Sequence, residues 1–225
     1  MNTPVPSKHT LPKTFVLRSH SIVLRSLRTE DREAMVAFAR SLPPNDLLFL
    51  WQDITQPAEV DRWIRAIDED GLITLVAWEG PAIVGYATFD RSRAQWMRHV
   101  AEIRVVVGES NRGMGVGRLL LELAFEMAIE AGVAKVVARM TPDQTQAIEL
   151  FRRLGFVHEA TLHGHAIGVH GCTHDLLVYS YFARDHQDQR CAVCSIFVLA
   201  PLSLSGAIRC ATCYHLEYQE LGGGD

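Results

Sequence analysis

No long unbroken apolar run crosses this chain. Its greasiest stretch, residues 191–208, carries no charge but is short and broken by Pro201, so a membrane span is not expected. Neither sign of charge dominates: 22 Lys and Arg against 26 Asp and Glu leave a net charge of −4, which argues against nucleic acid as a partner. The amino-terminal stretch is without the basic-then-apolar pattern of a secretion signal. Residues 1–20, rich in Pro, Ser, Thr, His and Lys, read as a flexible arm, and a cytoplasmic location is the expectation. What the chain does have is apolar content. Hydrophobic residues make up 48% of its 225 positions, enough for a full core, and the length suits one ordinary domain with appendages or two small domains.

Periodicity then gives an order of elements. Residues 22–27 read as a first strand, and Thr29 as the cap of a helix with Met35, Phe38, Ala39 and Leu42 on one face, ended at Pro43 and Pro44. A second helix starts at Pro57 and turns Val60, Trp63, Ile64 and Ile67 inward. Residues 72–78 and 82–89 flank a Glu79-Gly80-Pro81 turn as a hairpin, and 100–107 form the next strand. A helix over 117–131 places Arg118, Glu122, Glu126 and Glu130 on a wet stripe, with Gly132 as its stop. A strand over 135–140 follows, then a capping box at Thr141-Pro142-Asp143-Gln144 opens a helix lined by Ala147, Leu150, Phe151 and Leu154. Strands near 156–163 and 176–182 finish the series. Alternating strands and helices imply an α/β fold, one mixed sheet flanked by helices.

The junction after Val107 is the chemically informative part. A β-branched run ends in Gly108-Glu109-Ser110-Asn111, then Arg112-Gly113-Met114-Gly115-Val116-Gly117 leads into the amphipathic helix. Helix starts carry unpaired N–H groups and the positive end of the helix dipole, and glycines let main chain close on a diphosphate. The spacing is not the dinucleotide fingerprint, and the Lys-Ser/Thr pair of a P-loop is missing. A tight strand-to-helix turn without a ligand is the alternative.

Arg112-x-x-Gly115-x-Gly117 between a strand and a helix resembles the acetyl-CoA pyrophosphate loop of the GNAT N-acetyltransferases. The closing Ala147-x-x-Leu150-Phe151-x-x-x-Gly155-Phe156 fits the same family, and the resemblance runs over residues 22–182. It implies the GNAT fold and transfer of an acetyl group from acetyl-CoA to an amine. Backbone amides of Gly113, Met114, Gly115, Val116 and Gly117 would then hold the diphosphate, with Arg112 adding charge. Main-chain groups of Val105 and Val107 would pair with the pantetheine arm.

Direct attack needs a neutral amine, and a lysine-like amine of pKa about 10.4 is neutral in roughly one molecule per thousand or fewer at pH 7. A base is required. Glu102 is the candidate, because Glu102 and Arg104 share the face of a mostly buried strand opposite Ala101, Ile103 and Val105. The alternative is a structural ion pair with Arg104 or another cation. Two departures weaken a general-acid step. Phe151 stands where the family often has tyrosine, and Gln144 where it often has asparagine. A thiolate of pKa about 8.5 still leaves without an acid.

The acceptor is left open between a small amine, an amino acid and a protein lysine, the last favoured by the look of residues 41–47. A second copy of the chain is a further partner compatible with the sequence. A catalytically weak acyl-CoA-sensing module with a zinc-binding tail is the rival reading. His163, His165, His170 and His174 with Cys172 are spaced too irregularly for a metal site and read as an exposed hairpin face. Cys191, Cys194, Cys210 and Cys213 form two C-x-x-C pairs about fifteen residues apart, as in a zinc ribbon, though around a greasy interval. The division expected is an arm over 1–20, the acetyltransferase domain over 21–184 and a cysteine-bearing extension over 185–225, with no metal assigned.

Overall fold

The computed structural model describes residues 11–183, except 49, 51, 71, 93 and 169, and the backbone of 202–204 and 207–209. In chain order the elements are β1 Lys13–Leu17, β2 His20–Ser26, α1 Arg32–Ser41, α2 Pro44–Leu48, α3 Pro57–Asp70, β3 Ile73–Glu79, β4 Ala82–Arg91 and β5 Val100–Val107. Then come α4 Val116–Glu130, β6 Lys135–Met140, α5 Thr145–Arg153, β7 Val157–Ile167 and β8 Thr173–Phe182, followed by the short pair β9 Leu202–Leu204 and β10 Ala207–Arg209. Eight strands form one sheet in the order β1-β2-β3-β4-β5-β6-β8-β7. Only β5 and β6 run parallel; the other neighbours are antiparallel. This is the expected mixed sheet.

Helices cover both faces of the sheet centre, so β4 is buried from Ile83 through Phe89. One core packs α4 and α5 residues such as Leu120, Phe125 and Phe151 against Leu75, Ala87, Phe89 and Ile103. The other packs Met35 and Phe38 of α1 and Trp63 of α3 against Val76 and Tyr86. Polar groups inside this second layer satisfy one another: Trp63 Nε1 donates to Thr74 Oγ1 at 3.1 Å, and Thr74 lies 3.2 Å from Thr88 Oγ1.

Several local expectations are corrected. Residues 13–17 fall in the segment read as a flexible arm but form β1, paired to β2 from Lys13↔Leu24 to Leu17↔His20. Phe15 and Leu17 pack against the first core, which anchors the strand. Thr29 does not cap α1. A short 3₁₀ turn spans Thr29–Asp31, and the Asp31 carboxylate takes the Arg28 N–H at 2.9 Å and the Arg25 guanidinium at 2.5 Å. The prolines that close α1 open α2, where Pro44 sits at the first helical position. The stripe on α4 is not wet: Glu126 is only 4% exposed, and buried positions lie around most of the helix. The capping box expected at Thr141 does not form, because α5 starts at Thr145 with Gln144 as its N-cap and no side-chain cap bond, and Pro142 lies outside the helix. Gln144 Oε1 accepts the Thr141 N–H at 3.0 Å, while the buried Thr141 hydroxyl has no hydrogen-bond partner among the described residues.

Candidate functional site

The parallel pair in the middle of the sheet opens along its length. The described pairing of β5 with β6 covers Val100↔Lys135, Ala101↔Val136 and Glu102↔Val137. Beyond that, β5 continues on β4 as far as Val107↔Gly85, and β6 continues on β8 as far as Met140↔Leu177. The phase of the ladder follows from one bond: Gly108 N–H donates to Val84 O at 2.9 Å. Backbone groups alternate in an antiparallel ladder, so Arg104 and Val106 turn theirs to β4 while Val105 and Val107 turn theirs to the opened side. The two valines expected to meet the pantetheine arm therefore present an edge where a strand-like ligand could add.

The glycine loop closes one end of this opening. After a 3₁₀ turn over Glu109–Asn111, Gly113 has φ +73 and Gly115 φ +95, and α4 begins at Val116. Side chains rarely adopt such angles, so both positions favour glycine. A Cβ on Gly117 would lie 3.3 Å from Val107, 3.6 Å from Leu150 and 4.0 Å from Val105, so α4, α5 and β5 converge there. The start of α4 thus lies against the side chains of Val105 and Val107, and its first N–H groups have no intrahelical partners. Behind the loop, Asn111 Nδ2 donates to Glu79 at 2.9 Å, and His20 Nδ1 meets the other Glu79 oxygen at 2.5 Å. The His20 bond, then that of Asn111, holds the Glu79 carboxyl below its ordinary range. Arg112 is more committed than the sequence suggests: its Nε donates to Val107 O at 3.2 Å, and its guanidinium pairs with Asp46 of α2.

Glu102 has two cationic neighbours, Arg139 at 3.2 Å and Arg104 at 3.8 Å, and its side chain is 17% exposed. The ion-pair alternative is thus realised, and realised twice. Arg139 escaped the sequence reading, although a charge after the apolar run Val136-Val137-Ala138 was a usable signal. Phe151 is buried edge-on to Phe156 at 4.9 Å and offers no proton.

On the sheet face shared by Glu102 and Arg104, a cavity of about 170 Å³ lies between α3, the residues Leu50, Gln52 and Ile54, and strands β4 and β5. Trp63 and Ile54 contribute apolar walls, and Tyr86, Thr88, Asp90 and Arg104 line the sheet side. Cross-strand register sets Arg104 opposite Thr88 and Glu102 opposite Asp90. Burial lowers the Arg104 pKa and raises that of the Tyr86 phenol.

The histidines do not gather. His163 pairs with Asp175 at 3.0 Å, while His165, His170, His174 and Cys172 are exposed on β7, β8 and their turn. No metal-capable group of three occurs among the described residues. Cys191, Cys194, Cys210 and Cys213 lie outside them. No helix of the described residues is long and apolar enough to cross a membrane.

Comparison with known proteins adds to this geometry. The profile of the acetyltransferase (GNAT) family matches residues 28–156. The L-amino acid N-acyltransferase MnaT of Escherichia coli K12 is 31% identical over 115 residues, 50% of this chain and 67% of that protein. An L-methionine sulfoximine/L-methionine sulfone acetyltransferase of Pseudomonas paraeruginosa is 33% identical over 101 residues, 44% of this chain and 59% of that protein. The structure of yncA from Salmonella typhimurium with its cofactor acetyl-CoA is similar with TM-score 0.62 at 24% identity, covering 72% of this chain and 93% of that one.

Proposed function

We propose that this chain, which belongs to the acetyltransferase (GNAT) family, acetylates the amine of a free amino acid or a close analogue. The acetyl donor is acetyl-CoA, and the activity is acyl-CoA-dependent N-acyltransfer. The observation carrying the acceptor reading is the cavity beneath α3. It is small, walled by Trp63 and Ala66 of α3 and by Ile54 with Arg62 at its helix side, and meets both signs of charge on the sheet at Asp90 and Arg104. That lining suits a zwitterion with a short side chain better than an extended peptide. Two relatives named for amino-acid acceptors point the same way.

The residues fit the cosubstrate at three places. The loop from Gly113 to Gly117 offers amides to the diphosphate, helped by the dipole of α4. Val105 and the Val107 N–H offer a strand edge to the pantetheine amides, the Val107 carbonyl being held by Arg112 Nε, and the Val105 N–H can polarise the thioester carbonyl. Arg112, tethered to Asp46 and Val107, adds positive charge near the loop rather than a direct phosphate clamp. When bound, acetyl-CoA supplies an acyl group on a good leaving thiolate.

Glu102 takes up the proton released by the amine. Arg139 at 3.2 Å and Arg104 at 3.8 Å hold the carboxylate in place for that transfer. The proton then moves on through water to bulk solvent. Phe151 leaves the thiolate to depart unprotonated, which a typical thiol pKa of about 8.5 allows.

Thiol release from acetyl-CoA, measured against free amino acids, methionine sulfone, simple amines and lysine peptides, tests the reading. Turnover confined to free amino acids and analogues supports it. A preference for lysine peptides would return the acceptor to the protein-lysine class read from residues 41–47. Tight acetyl-CoA binding with no acceptor would favour the sensing module.

A further inference from the structure

We propose that Arg104 sets acceptor specificity: its guanidinium takes the α-carboxylate of the acceptor, so the enzyme prefers free amino acids to their amides. The inference rests on the amino-acid reading above and names the residue that would enforce it.

Arg104 lies in β5 next to Val105, whose backbone faces the opened edge, and its side chain points to the other sheet face, into the cavity. The side chain is 16% exposed, yet it carries the five-donor fork that matches a carboxylate in two parallel hydrogen bonds. Its ion pair with Glu102, at 3.8 Å, is longer than a hydrogen bond. In the same layer Trp63 Nε1, Thr74 and Thr88 bond to one another. Burial disfavours the charged guanidinium, and an arriving carboxylate offsets that cost.

Position decides which acid is read. The amine must sit between the Val105 edge and Glu102, and Arg104 is the next residue after Glu102 on that strand face. A carboxylate one carbon from the amine then falls at Arg104. An acid on a long side chain would reach past it toward Arg62, which is 61% exposed on α3. A lysine within a protein has no α-carboxylate to offer.

The test compares L-methionine sulfone with its carboxamide as acceptors in the wild type, Arg104→Met and Arg104→Lys, reading thiol release. The amide's amine is the less basic and more often neutral, which works against the expected preference. The wild type should favour the acid roughly 10- to 100-fold in kcat/KM, as expected for charge-assisted hydrogen bonds. Arg104→Met should bring the two within about threefold, through KM for the acid, with acetyl-CoA affinity unchanged; Arg104→Lys should recover part of the preference. A wild type indifferent to the carboxylate overturns the proposal, as does a preference surviving in Arg104→Met. If Arg104→Met does not fold, the wild-type ratio and Arg104→Lys decide. Turnover of simple amines or lysine peptides but of no amino acid would mean that the acceptor reading itself had failed. Amino-acid turnover insensitive to Arg104 would sink this inference alone.

Discussion

Gly115→Glu separates the fold of the loop from its work. Gly115 sits at φ +95, ψ −3 immediately before α4, and a Cβ there would meet only Leu17 at 4.0 Å. There is room for a side chain but not for an ordinary backbone. Holding an L-residue in such a conformation costs about 1–3 kcal/mol. If the loop keeps its shape, that strain lowers stability, by about 2–4 °C in Tm per kcal/mol for a chain of this size. If the loop relaxes, the strain appears when acetyl-CoA forces the shape back. Gly115→Ala measures this term alone. Glutamate adds a negative charge beside the proposed diphosphate, costing about 1 kcal/mol at 4 Å with water-like screening and about 4 kcal/mol with partial screening. Calorimetry of acetyl-CoA binding should therefore show Gly115→Glu roughly 5- to 1000-fold weaker than Gly115→Ala, with similar melting of the two. Added salt should narrow the gap. Equal affinities for the Ala and Glu variants would refute a diphosphate at this loop, and a wild-type affinity in both would remove the loop from the site.

Three other outcomes are expected. Glu102→Gln should slow turnover near pH 7 by about 10²-fold, the low end for a general base, with the loss shrinking as pH rises; a fully active variant would leave the proton to water. Glu79 has a folded pKa below its ordinary value, so its contribution is present above that value and is lost as pH falls through the folded pKa. On acidification the wild type should thus lose more stability than Glu79→Gln, and parallel melting curves from pH 7 to 3 would contradict the His20–Glu79–Asn111 brace. Removing residues 185–225 should leave acetyl-CoA binding intact, since every residue assigned to the site lies between β1 and β8; lost binding together with stoichiometric zinc in the full chain would make the tail part of the enzyme.

The sequence carried the elements whose causes are local. The β3–β4 hairpin and the loop with its three glycines followed from turn chemistry and period, whereas the start of α5 lies three residues beyond the Thr141-Pro142 cap that the sequence suggested. What stayed hidden depends on distant partners. Asp46 and Arg112 are 66 positions apart, so nothing near Arg112 announced that its guanidinium was engaged. The second cation on Glu102 comes from β6 through the parallel pairing, a contact only the sheet order creates. Period four along α4 marked Glu122 and Glu126 correctly as one side of the helix, but period does not say whether that side meets water. β1 is too short, and too embedded in polar residues, for alternation to reveal it before its partner β2 is known.

Amide hydrogen exchange with and without acetyl-CoA tests the central claim, that the opening between β5 and β6 together with the glycine loop is the cosubstrate site. Slowed exchange confined to Val105, Val107 and the amides from Gly113 to Gly117 is the result this account predicts. Protection elsewhere, for example along β7 and β8, with those residues unchanged, would contradict it.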